Sequence, residues 1–191
     1  MSEPISLYSR PGDFAVLGID PGTTNCAMYD TRGGGWSRAF RRVRAGKLKQ
    51  SHYEFLEAVI AMADWAGWAD AVIIEEQLRN GPDMQRFYHI LQWEMAKRVH
   101  DPDRVLLVNP IYLKMYVTGK SKPDGSEFYT AIERRIESGR YPHGPDATTE
   151  HIRDAYVLAL MGQDWLAVQA GHTRGLRGPV DVVRKIKAAW A

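Results

Sequence analysis

The apolar positions of this chain cluster and alternate so as to predict an ordered series of strands and helices. FAVLGID (14–20) is a continuous apolar run of strand length that ends in an acid, which predicts a buried strand. The turn PGTTN carries it into a second strand, CAMYD (26–30), and Gly33-Gly34-Gly35 turns the chain into a third, partly alternating strand, WSRAFRRV (36–43). Phe55, Leu56, Val59, Ile60 and Ala63 recur at helical spacing over 51–66. AVIIEEQ (71–77) is too short for a helix and rich in β-branched residues, so it predicts a central strand. Asn80-Gly81-Pro82 breaks the chain before a helical pattern over 83–99, and RVLLVNP (104–110) predicts a fifth strand stopped by Pro110. A short helix (111–117), a polar loop (118–125), a helix (126–138) and a turn-rich stretch (140–149) follow. Residues 149–163 predict a strong helix, with Thr149 as N-cap and Glu150 at the positive end of its dipole. DVVRKIKAAW after Pro179 predicts a last amphipathic helix.

Hairpins pair the first three strands antiparallel, and helical crossovers add the fourth and fifth parallel to the first. That order predicts an α/β fold: a five-stranded mixed sheet, three strands antiparallel and two parallel, flanked by helices in the ribonuclease H-like arrangement. A chain of 191 residues suits one such domain and is short for two. The expected organisation is a leader (1–13), the domain (14–170) and a basic tail or helix (171–191).

Composition narrows the class. Hydrophobic residues at 45% and charged residues at 25% are ordinary globular values. No apolar run approaches the roughly 18 residues of a membrane span, and the N-terminus has no signal-peptide pattern. Cys26 is the single cysteine, which excludes an internal disulfide and fits a reducing, cytoplasmic setting. The net charge of +2 says little, but its distribution says more. Arg32, Arg38, Arg41, Arg42, Arg44, Lys47 and Lys49 run without an intervening acid, and 172–191 is basic too. A charge run alone is most often a solvated loop.

The acids behave differently, because they interrupt apolar runs. Asp20 ends the first strand, on the same side as Val16 and Gly18 by period two. Glu75 ends the fourth strand, with Glu76 beside it as the alternative inward residue. His151 and Asp154 lie three apart on one helix face, and Ile152, Ala155 and Ala159 form the apolar face that docks that helix on the sheet. Singly, these are a turn residue, a strand end, a cap and a dipole partner. Together they place three carboxylates and an imidazole at neighbouring element ends, a cost that cations relieve. Hard oxygen donors with one imidazole suit Mg²⁺ or Mn²⁺, and two such ions support in-line phosphodiester hydrolysis.

The same residues carry a family resemblance. LGIDPGTTN (17–25), VIIEEQ (72–77) and HIRDAYVLAL (151–160) resemble, in order, the first acidic strand, second acidic strand and closing helix of RuvC-type Holliday junction resolvases, in the retroviral integrase superfamily. The His-x-x-Asp-Ala-Tyr form also resembles the RuvC-type nuclease domain of CRISPR effector proteins. The resemblance implies a metal-dependent endonuclease for four-way junctions or other branched DNA. Its implied ligands are Asp20, Glu75 (over Glu76) and Asp154, holding two Mg²⁺ or Mn²⁺ ions; His151 is either a further ligand or positions water. LKMYVTGKSK (113–122) resembles a stretch whose lysines hold phosphates, implying Lys114 with Lys120 or Lys122. Arg41, Arg42 and Arg44 are expected to hold a duplex arm. The resemblance also implies a homodimer through the helix of 83–99, and no nucleotide cofactor.

The chain departs from the family where Gln77, Leu78 and Arg79 replace the aromatic residues that usually follow the second acid. Phe87 and Tyr88 come later, at core-like helical spacing. These differences suggest a divergent, phage-encoded relative. Three rivals follow from the same residues. An actin-like ATPase would share GIDPGTTN but needs a second subdomain and leaves Glu75 and Asp154 unexplained. A non-catalytic DNA-binding domain of this fold has no need of clustered carboxylates. A ribonuclease H-like nuclease acting on RNA or RNA–DNA hybrid is the third.

Overall fold

The computed structural model describes residues 14–21, 25–32, 34–39, 48–76, 82–142 and 149–190. Strands β1 (Val16–Asp20), β2 (Asn25–Asp30) and β3 (Gly34–Ala39) form an antiparallel meander, and β4 (Ala71–Glu75) and β5 (Val105–Val108) join parallel to β1. The sheet order is β3-β2-β1-β4-β5-β6, so it has six strands where five were expected. The added strand, β6 (Lys187–Ala188), pairs antiparallel with β5 through Leu106↔Ala188 and Leu107↔Lys187. It lies where a last amphipathic helix was expected; that helix, α6, is a single turn, Val180–Val183.

Strand alternation divides the core between two faces. Leu17, Ile19, Val72, Ile74 and Val105 point to the layer of α1 (Leu48–Ala66) and α2 (Pro82–Arg98). Val16, Ala71, Ile73, Leu106 and Val108 point to α3 (Pro110–Thr118), α4 (Gly125–Glu137), α5 (Glu150–Gln169) and α6. Three layers result, helices covering both sides of the sheet. On α1 the inward stripe is Phe55, Val59, Met62, Ala63 and Ala66, whereas Ile60, expected inside, is 56% exposed. The α2 residue Tyr88 is buried.

Local chemistry sets the ends of the helices around the site. Asn109 Oδ1 accepts from the Ile111 N–H and Pro110 takes the first turn of α3, so the proline that stops β5 also starts this helix. Gly119, at φ +75°, closes it in the left-handed conformation that glycine tolerates. Asp124 caps α4 by accepting from Glu127 N–H at 2.7 Å. Thr149 is the N-cap residue of α5 but makes no side-chain cap bond, and α5 runs six residues past its expected end at 163, to Gln169.

Helix α5 packs closely on the sheet, with glycines at the points of nearest approach. A Cβ at Gly18 would fall on the Ala155 carbonyl oxygen and 2.6 Å from the Ala159 nitrogen. At Gly35 it would meet Ile152 Cγ2 at 2.5 Å, and at Gly162 it would meet Val16 Cγ1 at 2.6 Å. At Gly18 helix and strand backbones therefore touch, and the first turns of α5 lie over the C-terminal ends of β1 and β4.

Candidate active site

Asp20 and Glu75 project from the ends of neighbouring parallel strands toward the α5 face. Asp20 follows Val16 and Gly18 by alternation, and Glu75 follows Ala71 and Ile73, opposite the core residue Val108. Glu76 therefore points to the other face, and it lines a separate cavity with Asn109 and Tyr112. On α5, His151 Nδ1 meets Asp20 Oδ2 at 2.7 Å. Asp154, one turn further, lines a cleft of about 560 Å³ with Glu75, Lys114, Tyr129 and Glu150.

Buried carboxylates need partners, and this chain supplies them unevenly. Asp30 is held by Arg32 through its backbone N–H, Nε and Nη2. Asp164, fully buried, accepts from Tyr116 Oη, the backbone N–H groups of Arg177 and Gly178, and Arg177 Nη1. Those two acids are structural ties. Asp20, only 4% exposed, meets no Lys or Arg among the described residues. Asp154 Oδ1 is buried with no hydrogen-bond partner.

The electrostatics follow from that crowding. Burial, then the Asp20 and Asp154 charges, pushes the Glu75 carboxyl up to about 9, while Lys114 pulls it down. Burial and Asp20 raise Asp154 to about 7, against the pull of His151 and Lys114. His151 is raised by its hydrogen bond to Asp20. Tyr129 is raised by burial and by the field of Asp154, Glu150, Asp20 and Glu75. The acids are therefore harder to ionise together than singly, and their charge is felt across the cleft at Tyr129.

The donors are hard carboxylate oxygens with one imidazole, and an orphaned buried oxygen is among them. That set fits a hard divalent cation. In the present pose, no three His, Cys, Asp or Glu side chains among the described residues are grouped as a metal cage. His151 is instead turned onto Asp20.

The remaining expected residues divide. Lys114 stands in the cleft wall beside Glu75 and Asp154. Lys120 is exposed and its ammonium is taken by Glu127, and Lys122 is exposed with no ion-pair partner among the described residues. Arg41, Arg42 and Arg44 lie outside the described residues. Sequence reasoning missed Tyr129, whose ring packs against Phe128 at the cleft and carries Arg153 at 5.9 Å. No described helix is long and apolar enough to cross a membrane.

No protein-family model matches the chain, and no curated protein matches it. Among solved structures it is similar to Thermus thermophilus RuvC in complex with Holliday junction substrate, at 16% identity and a TM-score of 0.53, over 83% of this chain and 96% of that one. A second Thermus thermophilus RuvC structure aligns over 82% of this chain and 96% of that one, at 16% identity and a TM-score of 0.49. The likeness to the junction-bound RuvC, taken with the strand order, identifies the fold as the ribonuclease H-like α/β fold that RuvC also has.

Proposed function

We propose that this chain is a metal-dependent, structure-selective endonuclease that hydrolyses phosphodiester bonds at four-way junctions or other branched DNA. The observation that carries the reading is Asp154 Oδ1, buried and unpartnered in a cleft that Glu75 also lines, with both carboxyls raised by burial and by the charge of Asp20. A pair of Mg²⁺ or Mn²⁺ ions held by these three carboxylates would supply the Lewis acidity that activates water and the scissile phosphate. His151, with Nδ1 committed to Asp20, has Nε2 left to take a proton from the attacking water. Lys114 neutralises phosphate charge beside the acids, and the buried floor of Ile73, Val108 and Ala155 keeps bulk water from beneath them.

The substrate class draws support from the fold shared with a RuvC solved on Holliday junction substrate. Lys120 or Lys122 would join Lys114 on phosphate near the scissile bond, and Arg41, Arg42 and Arg44 would hold a duplex arm. A homodimer through α2, where Ile90 and Trp93 are exposed, would place two clefts on symmetric strands. The test is cleavage of a labelled four-way junction, a matched linear duplex and an RNA–DNA hybrid in Mg²⁺, Mn²⁺ or EDTA, beside Asp20→Asn. Paired, metal-dependent nicks at the junction that Asp20→Asn abolishes support the reading. Cleavage confined to the hybrid replaces it with a ribonuclease, and binding without cleavage in any metal replaces it with a DNA-binding domain.

A further inference from the structure

A second concave surface lies on the other side of α3 from the acidic cleft, with opposite charge. It is a cavity of about 540 Å³ at the β5–β6 edge, lined by Arg184, Lys185 and Lys187 with Asn109, Tyr112 and Glu76. The first turn of α3 is the shared wall: Asn109 and Tyr112 face this groove, and Leu113 and Lys114 face the cleft. Glu75 and Glu76, adjacent in β4 and its end, split between the two in the same way.

The three cations are exposed, and the backbone that carries them is anchored. Val183 and Ile186 are buried on either side of Arg184 and Lys185, and Lys187 is registered against Leu107 in the sheet. The backbone that carries them is thus held before any ligand arrives. Elsewhere Arg32, Arg98, Arg104, Lys120 and Arg153 each have a carboxylate partner. Among the described residues Arg184, Lys185 and Lys187 have none, although Glu76 lines the same groove. Asn109 spends its Oδ1 on the α3 cap, which leaves its amide N–H groups as donors beside the Tyr112 hydroxyl. Three cations against one carboxylate, with neutral donors between them, is the chemistry that takes successive phosphates.

We propose that Arg184, Lys185 and Lys187, with Asn109 and Tyr112, form a phosphodiester-binding groove that holds the nucleic-acid backbone where it leaves the acidic cleft across the first turn of α3. The inference rests on the nuclease reading above. It gives the basic C-terminal segment a role that is separate from Lys114, Lys120 and Lys122.

The test is fluorescence anisotropy of a labelled four-way junction in EDTA between 50 and 200 mM salt, with wild type and the triple variant Arg184→Gln, Lys185→Gln, Lys187→Gln. Three lost contacts lower the steepness of log K against log salt by about 2 to 3. The fourfold rise in salt then weakens the wild type about 40-fold more than the variant, which binds about tenfold or more weakly at the lowest salt. Lys185→Arg with Lys187→Arg retains the wild-type slope, and an unchanged melting temperature of the triple variant excludes unfolding as the cause. An unchanged slope in a protein that does bind the junction overturns the groove alone. A wild type without salt-dependent junction binding overturns both the groove and the nuclease reading. A labelled acidic peptide of matched charge that binds as tightly as the junction reassigns the groove to protein and overturns the proposal.

Discussion

His151 Nδ1 and Asp20 Oδ2 lie 2.7 Å apart, joining α5 to the end of β1 across 131 residues of sequence. The hydrogen bond orients the imidazole and raises its affinity for a proton. A general base so placed contributes about 10²–10⁴-fold to rate. His151→Asn is therefore expected to slow single-turnover junction cleavage by about that factor while leaving junction affinity unchanged. A third of its side chain is exposed, so the fold should be unaffected. Equal loss of binding and cleavage would show that His151 holds substrate.

The acid cluster makes stability depend on pH in a definite direction. Glu75 is raised from 4.5 to about 9 and Asp154 from 3.8 to about 7, so the folded state keeps protons that the unfolded chain releases. Where the native state binds more protons, stability falls as pH rises. His151, also raised, adds to the same trend: its stabilisation is full below its ordinary value and is lost through the raised one. Metal-free protein should lose melting temperature progressively from acidic to alkaline buffer, with a slope of at most about 1.4 kcal/mol per pH unit per group. On the proposed reading a divalent cation would replace the retained proton, so Mg²⁺ should raise the melting temperature more in alkaline than in acidic buffer. A Mg²⁺ effect that is independent of pH would contradict a metal bound by these carboxylates.

Asp164 ties three elements together: Tyr116 of α3, its own helix α5 and the segment at Arg177–Gly178. Gly178 lies so close to the Tyr116 ring that no Cβ fits there. Removing one partner of a buried ion pair leaves the other charge uncompensated, which costs about 3–5 kcal/mol. Asp164→Ala should lower urea stability by that amount, and a loss below about 1 kcal/mol would mean that Arg177 finds water instead.

Which parts were legible in the sequence depended on how local their signal was. Asp20 and Glu75 were legible because apolar runs fix the strands and period two fixes the face. Choosing Glu75 over Glu76 from the residues alone required knowing which face α5 covers, and only the folded sheet shows that. The two-residue strand β6 has no local pattern; its pairing with β5 is a long-range event, so a helical reading of the tail prevailed there. Ile60 failed for the opposite reason, since an apolar residue on a helix's outer face looks like core to periodicity. Lys120 looked free until Glu127, seven residues on, was folded back onto it. Asp164 lies just past the expected end of its helix at 163, and its partners are set by the path of the chain after α5.

The contact between Gly18 and the Ala155–Ala159 turn has a consequence for how this site can change. There the main chain of β1 meets the main chain of α5 directly, and residue 18 has no side chain to trim and no room for one. On the proposed reading, selection for a larger or smaller cation would find no adjustment in a side chain at residue 18. It has to act from the β4 side, through Glu75, or from α3 and α4 across the cleft. One side of the cleft would thereby be the stiffer jaw, with adaptation left to the other.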